Sequence, residues 1–379
     1  MSYLEYQVKF VPTGLRKIIY LNWPLVLLVS AACGIGLLML YSVSGGQAET
    51  WMTPQLKRFG AGLVLMFIVA MVPIWFWRNM AVLAYLVSLA LLVAVEFVGS
   101  VGMGAQRWLD LGVITIQPSE VAKIALVMVL AAYYDRLPMR RVSHPVWVIL
   151  PAILVALPTL LVLAQPNLGT AVLTAAIGAT VMFCAGVHWA YFATVIGGLG
   201  AAVLAIFESR GTSWQLLHDY QFRRIDTFLD PTTDPMGAGY NITQATIALG
   251  SGGWTGRGFM QGTQSRLNFL PEKHTDFIFN TLAEEFGLIG SLALLVVYVL
   301  ILVFCFAAAL QQKDRFSFLL ILGIATGFFL LFAVNMLMVM GMAPVVGIPL
   351  PLVSYGGSAL MVLLIAFGLV QSAHVHRPR

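Results

Sequence analysis

The stretch WPLVLLVSAACGIGLLMLY, residues 23–41, holds no charged side chain and is long enough to cross a membrane as a helix. A helix of about 20 apolar residues spans a hydrocarbon core about 30 Å thick. Similar runs recur along the 379-residue chain, of which 60% is hydrophobic and 10% charged. Ordinary soluble domains have roughly 45–50% apolar and about 25% charged residues. The sequence therefore predicts an integral membrane protein.

The apolar runs predict an all-α, polytopic fold with ten transmembrane helices in a single domain, residues 1–379. The predicted spans are 20–42, 59–77, 80–99, 119–134, 146–164, 168–185, 188–207, 286–310, 316–340 and 353–372. An even number of spans puts both termini on one side. Basic residues concentrate in the termini and the even-numbered loops, whereas the short opposite loops carry Lys57, Arg58 and Arg107. The positive-inside rule then predicts that both termini are cytoplasmic.

Residues 208–275, between the seventh and eighth spans, form the one long loop of this topology. Loops longer than about 60 residues cross the membrane regardless of their charge, so its basic residues do not affect the orientation. The segment is rich in aromatic and leucine residues, as in LLHDYQFRRIDTFLD at 216–230. We therefore expect an ordered extracytoplasmic cap.

Several classes of site are disfavoured. The glycine-rich stretch GSGGWTGRGFMQG, residues 250–262, lacks the Gly-Lys-Ser/Thr ending of a phosphate-binding loop, so it predicts tight turns and close backbone approach instead. Three cysteines inside apolar runs indicate neither a disulfide framework nor a thiolate metal site. The net charge of +5 comes without a basic stripe interleaved with aromatics, so no nucleic-acid partner is expected.

The motif IQPSEVAK, residues 116–123, opens the fourth predicted span at its outer end. Glu120 and Lys123 are three residues apart and share one face of a helix. A charge within a span costs roughly 2.5–3.5 kcal/mol on insertion scales, so such residues usually face a protein interior or a wet cavity. Two interpretations are open: an ion pair that only holds helices together, or part of a substrate cavity.

The stretch FLPEKHTDFIFN, residues 269–280, places charged side chains directly before an apolar run. Asp276 stands at the outer level of Glu120 and Lys123, so we expect the three to meet in one half-wet cavity. A partly desolvated carboxylate near Lys273 and His274 can keep a proton affinity suited to a general base. The alternative is a capping or solvated aspartate at a helix boundary.

The apolar segment after Asp276 continues to Gln311, which is too long for one straight span of about 20 residues. The sequence therefore predicts an interfacial turn or short helix over 276–285, with the span proper beginning near Gly287.

Several long motifs, in order along nearly the whole chain, resemble those of the shape, elongation, division and sporulation (SEDS) proteins. They are GAQRWLDLG (104–112), QPSEVAK (117–123), QPNLGT (165–170), FLDPTTDPMGAGYNITQA (228–245), GTQSRLNFLPEKHTDFIF (262–279), AEEFGLIG (283–290) and GIPLPLVSYGGSA (347–359). The GTQS and LNFLPEKHTDFIF segments are more similar to the elongation branch, RodA, than to the division branch, FtsW.

The resemblance implies a ten-span peptidoglycan glycosyltransferase, multi-pass in the bacterial inner (plasma) membrane, that polymerises lipid II on the outer, periplasmic face. It also implies a partner, a class B penicillin-binding protein that acts as transpeptidase. The family's essential carboxylate falls on Asp276. An α-linked donor and a β-linked product imply one inverting displacement, in which Asp276 takes the proton of the acceptor sugar's 4-hydroxyl.

The expelled pyrophosphate needs its charge neutralised, and several groups are candidates. They are Lys57, Arg58, Arg107 and Lys123, or a bound divalent cation, Mg²⁺ or Mn²⁺, whose site the sequence does not indicate. Glu120, Lys273 and His274 complete the predicted substrate-binding residues.

One residue departs from the family pattern, and one other function competes. The family usually has Asp in QPDLGT, where this chain has Asn167. An amide cannot exchange a proton with substrate near neutral pH, so only a hydrogen-bonding role survives there. The alternative function is a lipid II flippase or transporter, although such sites tend to lie near the midplane of the bilayer.

Overall fold

A computed structural model describes residues 14–102, 105–110, 115–212, 238–267 and 272–377, and the single residues Pro12, Gly112, Gln215, Phe222 and Asp226. Most described residues are helical. The α-helices are α1 (Trp23–Val43), α2 (Met52–Met71), α3 (Ile74–Val98), α4 (Pro118–Arg136), α5 (Pro145–Ala164), α6 (Leu168–Cys184), α7 (Trp189–Glu208), α8 (Ala238–Ser251), α9 (Thr263–Arg266), α10 (Ile278–Leu310), α11 (Arg315–Val339) and α12 (Gly357–Val375). Short 3₁₀ helices cover Gly14–Tyr20 and Met139–Arg141.

The long helices identify a multi-pass membrane protein. Within the described residues, eight helices are long and apolar enough to cross a bilayer, namely α1, α2, α3, α5, α7, α10, α11 and α12. Helix α6 is apolar but has 17 residues. Helix α4 has 19 residues and carries charges at both ends. The prediction of a polytopic membrane protein built from apolar helices is therefore confirmed.

The boundaries of α2 and α3 correct the predicted spans 59–77 and 80–99. Helix α2 begins at Met52, so Lys57 and Arg58 lie on its second turn and not in a loop. Pro73 separates α2 from α3, because proline lacks an N–H and disfavours helical backbone in the residue before it. The predicted span had run through this proline.

A small antiparallel sheet between α3 and α4 was not predicted. Its strands are β1 (Ser100–Gly102), β2 (Ala105–Asp110) and β3 (Thr115–Ile116), in the order β1-β2-β3. Ser100 pairs with Trp108, and Leu109 pairs with Ile116. Arg107 therefore lies on a strand, which fixes it beside the first turn of α4. Strands of two to six residues carry too little periodicity to stand out between apolar helices.

Helices α4 and α11 form the centre of the bundle. Helix α4 packs against α3, α6, α11 and α12, and most of its residues are buried. Helix α11 also contacts α6, α10 and α12, while α12 packs along α2. Helix α7 is the opposite case, because none of its residues is buried. Helices α4 and α11 therefore form the buried centre of the bundle, whereas α7 lies at its periphery.

Helix α10 is broken at Gly287, as the sequence predicted, with φ 63° and ψ −158°. The break is held by the glycine loop, residues 252–262. Amides of Arg257 and Gly258 donate to the carbonyls of residues 284 and 285 at 2.9 and 3.0 Å, and amides of residues 288 and 289 donate back to the loop at 2.9 and 3.2 Å. A Cβ added to Gly256 would lie 2.1 Å from the carbonyl oxygen of residue 285. The predicted close backbone approach is thus confirmed.

Candidate functional site

A cavity of about 390 Å³ lies between α4, α6, α11 and α12. Its two ends differ in chemistry. The polar end is lined by Arg107, Gln117, Glu120, Lys123, Asn167 and Asp276. The apolar end is lined by Val127, Leu173, Ile177, Gly327, Phe328, Leu363 and Ala366. The sequence predicted that Glu120, Lys123 and Asp276 meet in one cavity, and the structure brings these three together with Arg107.

The α11–α12 loop, residues 340–356, forms one wall of the cavity. Its residues from Gly347 to Leu352 line the space, with Ser354, Tyr355 and Gly356. The loop is anchored to α10, since the hydroxyl of Tyr298 on that helix donates to the carbonyl of Pro351 at 2.5 Å. Gly347 has φ +68°, and a Cβ there would lie 3.6 Å from Oδ2 of Asp276. The loop therefore lies directly against the carboxylate.

Asp276 occupies a turn, residues 272–277, just before α10. Burial raises the pKa of its carboxyl to about 6, and the nearby Glu272 adds to the rise. Among the described residues, no side chain or amide is seen to donate a hydrogen bond to this carboxylate. A carboxylate that faces a cavity and is mostly ionised at pH 7, yet more basic than usual, is suited to accepting a proton from a bound hydroxyl.

Glu120 and Lys123 meet across one turn of α4. Nζ of Lys123 donates to Oε1 of Glu120 at 2.8 Å, and the two side chains are 7% and 15% exposed. The ammonium is thus buried on the cavity wall, with Glu120 as its one carboxylate partner among the described residues. An anionic ligand entering here would meet a cation that is already desolvated, for which an electrostatic contact is stronger than in water.

Arg107 and Asn167 complete the polar end. Nη2 of Arg107 donates to the carbonyl of Pro166 at 2.7 Å, and burial lowers the pKa of the guanidinium. Its Nε is buried and has no hydrogen-bond partner among the described residues. Oδ1 of Asn167 accepts from the amide of Thr170 at 3.4 Å and caps the N-terminus of α6. Asn167 is therefore in a hydrogen-bonding role, and Arg107 keeps a donor for a ligand.

The other predicted binding residues lie outside the cavity wall. Lys57 is exposed on α2. The guanidinium of Arg58 lies 4.9 Å from the ring centre of Tyr355, one layer behind the wall. The ring of His274 stacks on Trp51 with centroids 4.1 Å apart.

Burial also changes the pKa values of the two basic neighbours of Asp276. It lowers the pKa of Lys273 and of His274, while Glu272 partly offsets the fall at His274. His274 is therefore a neutral side chain near pH 7 that stacks on Trp51, and its role in substrate binding stays a prediction.

Asn335 and the α11–α12 loop were not predicted as parts of the site. Nδ2 of Asn335 donates to the carbonyl of Asp276 at 2.9 Å and to that of Ile348 at 2.7 Å. A polar residue near the end of the apolar ninth span was the available signal, since such residues usually face a protein interior. The loop was visible only as the motif GIPLPLVSYGGSA.

The expected divalent cation has no preformed protein ligand set in the described part of the chain. No group of three or more His, Cys, Asp or Glu side chains there could hold a metal ion. The two carboxylates of the cavity share it with Lys123 and Arg107, which disfavour a cation. These residues therefore do not fit a resident metal centre.

Fold and cavity together define a class: a polytopic membrane protein with an amphipathic cavity, cationic and carboxylate side chains at one end, and apolar walls below. The family model FtsW/RodA/SpoVE, described as "Cell cycle protein", matches residues 23–379. The chain belongs to this family.

Relatives and solved structures agree with that assignment. The chain is 42% identical to Peptidoglycan glycosyltransferase MrdB of Escherichia coli K12 over 95% of each chain. It is 37% identical to Probable peptidoglycan glycosyltransferase FtsW of Alteromonas naphthalenivorans, over 91% of this chain and 68% of that one.

Two structural neighbours cover nearly the whole chain. The Thermus thermophilus rod shape determining protein RodA has a TM-score of 0.71 and 30% identity, covering 95% of this chain and 98% of that one. A chain from a study described as "Structural coordination of polymerization and crosslinking by a peptidoglycan synthase complex" has a TM-score of 0.80 and 31% identity, covering 93% and 97%.

Proposed function

We propose that this protein is a peptidoglycan glycosyltransferase of the elongation machinery that polymerises lipid II. The curated relatives with this activity in their names support it, at 42% and 37% identity over most of the chain. The observation that carries it here is the cavity, in which an unpaired carboxylate and two cations stand above apolar walls. A lipid-linked sugar pyrophosphate has the same division between a polar head and an apolar tail.

Asp276 is the general base of the proposed reaction. Its carboxylate takes the proton of the acceptor's 4-hydroxyl while the oxygen attacks the anomeric carbon of the lipid-linked donor from the face opposite the pyrophosphate. The C1–O bond to pyrophosphate breaks as the new β bond forms. The raised pKa of Asp276, about 6, keeps the carboxyl mostly ionised at pH 7 and still basic enough for the transfer.

Lys123 and Arg107 neutralise the departing pyrophosphate. Both line the cavity, and both are partly desolvated, so their charges act with little screening by water. Glu120 holds Lys123 in place by accepting a hydrogen bond from its ammonium at 2.8 Å. Arg58 supports the wall through its contact with Tyr355, whereas Lys57, Lys273 and His274 lie outside the cavity lining. A divalent cation, Mg²⁺ or Mn²⁺, would enter with the pyrophosphate as its counterion, and no step here depends on it.

The proposed topology has ten spans, because α4 and α6 pack in the bundle beside the eight helices that are long and apolar enough to cross a bilayer. Both termini are on the cytoplasmic side of the inner membrane, following the positive-inside rule. The cavity then opens on the periplasmic side, with residues 208–275 as an extracytoplasmic cap. The proposed partner is a class B penicillin-binding protein, in keeping with the neighbour from a peptidoglycan synthase complex.

The experiment incubates the purified chain with lipid II, alone and with its transpeptidase, and sizes the glycan on a gel. Parallel samples contain a chelator to test the cation. The chain alone is expected to form glycan strands. A protein that makes no polymer under either condition but moves lipid II across vesicles would instead be a flippase. The charges at one end of the cavity, and not midway along it, favour the enzyme.

A further inference from the structure

The turn that carries Asp276 is tied to the rest of the protein through three successive main-chain carbonyls. The amide of Tyr355 donates to the carbonyl of His274 at 2.9 Å. Oγ of Ser354 donates to that of Thr275 at 2.5 Å. Nδ2 of Asn335 donates to that of Asp276 at 2.9 Å. We name these three donors the clasp.

Asn335 is the member of the clasp that joins separate elements. It lies on α11 and is fully buried, at 0% exposure. An amide nitrogen has two hydrogens, and both are used here, one on Asp276 and one on Ile348 of the α11–α12 loop. The base and the wall facing it are therefore positioned by the same side chain.

We propose that Asn335 is a positioning residue for the transferase reaction, setting the carboxylate of Asp276 against the cavity by fixing its main chain. The inference rests on the proposed role of Asp276 as base. A loss of the clasp frees the turn to rotate toward water. A displacement of about 1 Å at a reacting group can cost about 10²-fold in rate.

The chain contains a matched control. Asn280 on α10 is also 0% exposed, and its Nδ2 also donates to two main-chain carbonyls, those of Ala245 at 2.7 Å and Val339 at 3.4 Å. Its side chain makes no hydrogen bond to the turn of Asp276. Its main-chain amide donates to the carbonyl of Phe277 at 3.0 Å, a bond that a change of side chain leaves in place. Asn335→Leu and Asn280→Leu therefore each remove, from an equally buried position, an amide that donates to two main-chain carbonyls.

The test compares the two purified full-length variants with the parent and with Asp276→Asn. Polymerisation of lipid II is measured at saturating substrate from pH 4.5 to 8, beside thermal unfolding. Asn335→Leu is expected to lower the maximal rate by about 10- to 100-fold. It also moves the acid limb of the profile to lower pH, because a hydrated Asp276 returns toward an ordinary pKa. Asn280→Leu is expected to lose stability alone.

The charges around Asp276 are the same in both leucine variants. Glu272, Lys273 and His274 lie on its own turn, and Arg107, Glu120 and Lys123 line the same cavity from β2 and α4. A shift of the acid limb in Asn335→Leu and not in Asn280→Leu thus reports the position of Asp276. Equal rates and equal limbs in the two variants would overturn the inference.

Ser354→Ala provides the second test, and it decides the question if Asn335→Leu does not fold. It removes the bond to Thr275, and the bond that Oγ accepts from the amide of Leu350 at 2.8 Å, with little change in volume. Its control is Ser372→Ala, at a buried serine that donates to Val72 at the other end of the bundle. A smaller shift in the same direction is expected, and an unchanged limb overturns the clasp. Full activity in Asp276→Asn would instead refute the proposed base itself.

Discussion

Glu120 and Asp276 line the same cavity, yet the protein surrounds these two carboxylates in different ways. Glu120 lies on a regular helix with an ammonium 2.8 Å away. Asp276 lies on a turn, held by its main chain, with no partner seen for its carboxylate among the described residues. Burial without a partner raises its pKa to about 6. A paired carboxylate serves to hold a cation, whereas an unpaired one can serve as a base.

The largest expected effect comes from Asp276→Asn, which keeps size and removes the base. General-base catalysis is worth about 10²- to 10⁴-fold, or roughly 3–5 kcal/mol of barrier. The variant should insert, bind its transpeptidase and make no detectable glycan from lipid II. Its melting temperature at pH 7 should not fall, since ionising a carboxyl with a raised folded pKa destabilises the folded state. Robust polymer from this variant would remove Asp276 as the base.

The corresponding amide substitution at the paired carboxylate should lower stability and leave the general base in place. Glu120→Gln retains the base but leaves Lys123 buried without its partner, and breaking a buried pair this way costs about 3–5 kcal/mol. Thermal unfolding of the two amide variants side by side measures the contrast. A stable Glu120→Gln protein would mean that Lys123 has another partner or enough water.

Lys123→Met should cause the next largest loss of activity. Removing one preorganised electrostatic contact typically costs about 10²- to 10³-fold in kcat, and the variant is expected to insert normally. The double variant Glu120→Gln/Lys123→Met is the control, because it has no unpaired charge. If the neutral pair is as active as the parent, the ion pair only holds helices together.

The pH profile of the parent should show the state of Asp276. The ionised form is the active one, so the rate should fall about tenfold for each pH unit below a midpoint near pH 6. Initial rates of polymerisation in buffers of constant ionic strength measure it. A midpoint near 4 would show that the carboxylate is hydrated in the working enzyme.

The smallest effect is expected from Asn167→Asp, which introduces the family's usual residue. Asn and Asp are about equally good N-caps, so the cap of α6 should persist. The added charge would face Lys123 and Arg107 in the cavity. Activity and melting temperature are expected to stay near those of the parent. A large loss of activity would mean that the amide itself is required here.

The sequence was informative wherever one local pattern decided the structure. Apolar runs predicted the long helices, and excess length after Asp276 predicted the break that occurs at Gly287. The spacing of Glu120 and Lys123 predicted their pairing. Each of these inferences needs only neighbours along one helix.

The missed features depend on contacts between distant parts of the chain. Asn335 meets Asp276 across 59 residues, and Ser354 meets Thr275 across 79. No periodicity encodes such a pairing. Lys57 and Arg58 were predicted to lie in a loop because their charges were taken to mark the end of a membrane span. In the structure they lie on the polar end of α2, where a helix tolerates charged side chains. Direct binding by His274 was predicted from sequence proximity, and its stacking on Trp51 is visible only in three dimensions.

The main-chain hydrogen bonds between the glycine loop and the break in α10 affect where the bilayer surface can lie. An interrupted helix normally needs water for its freed main-chain groups, so breaks are confined to wet regions. At Gly287 the loop takes up the main-chain groups of residues 284, 285, 288 and 289. The edge of the hydrocarbon layer can then lie above or below the break without leaving these main-chain groups unpaired in lipid. Membranes that differ in thickness by a few ångströms should therefore hold the same cavity in the same shape.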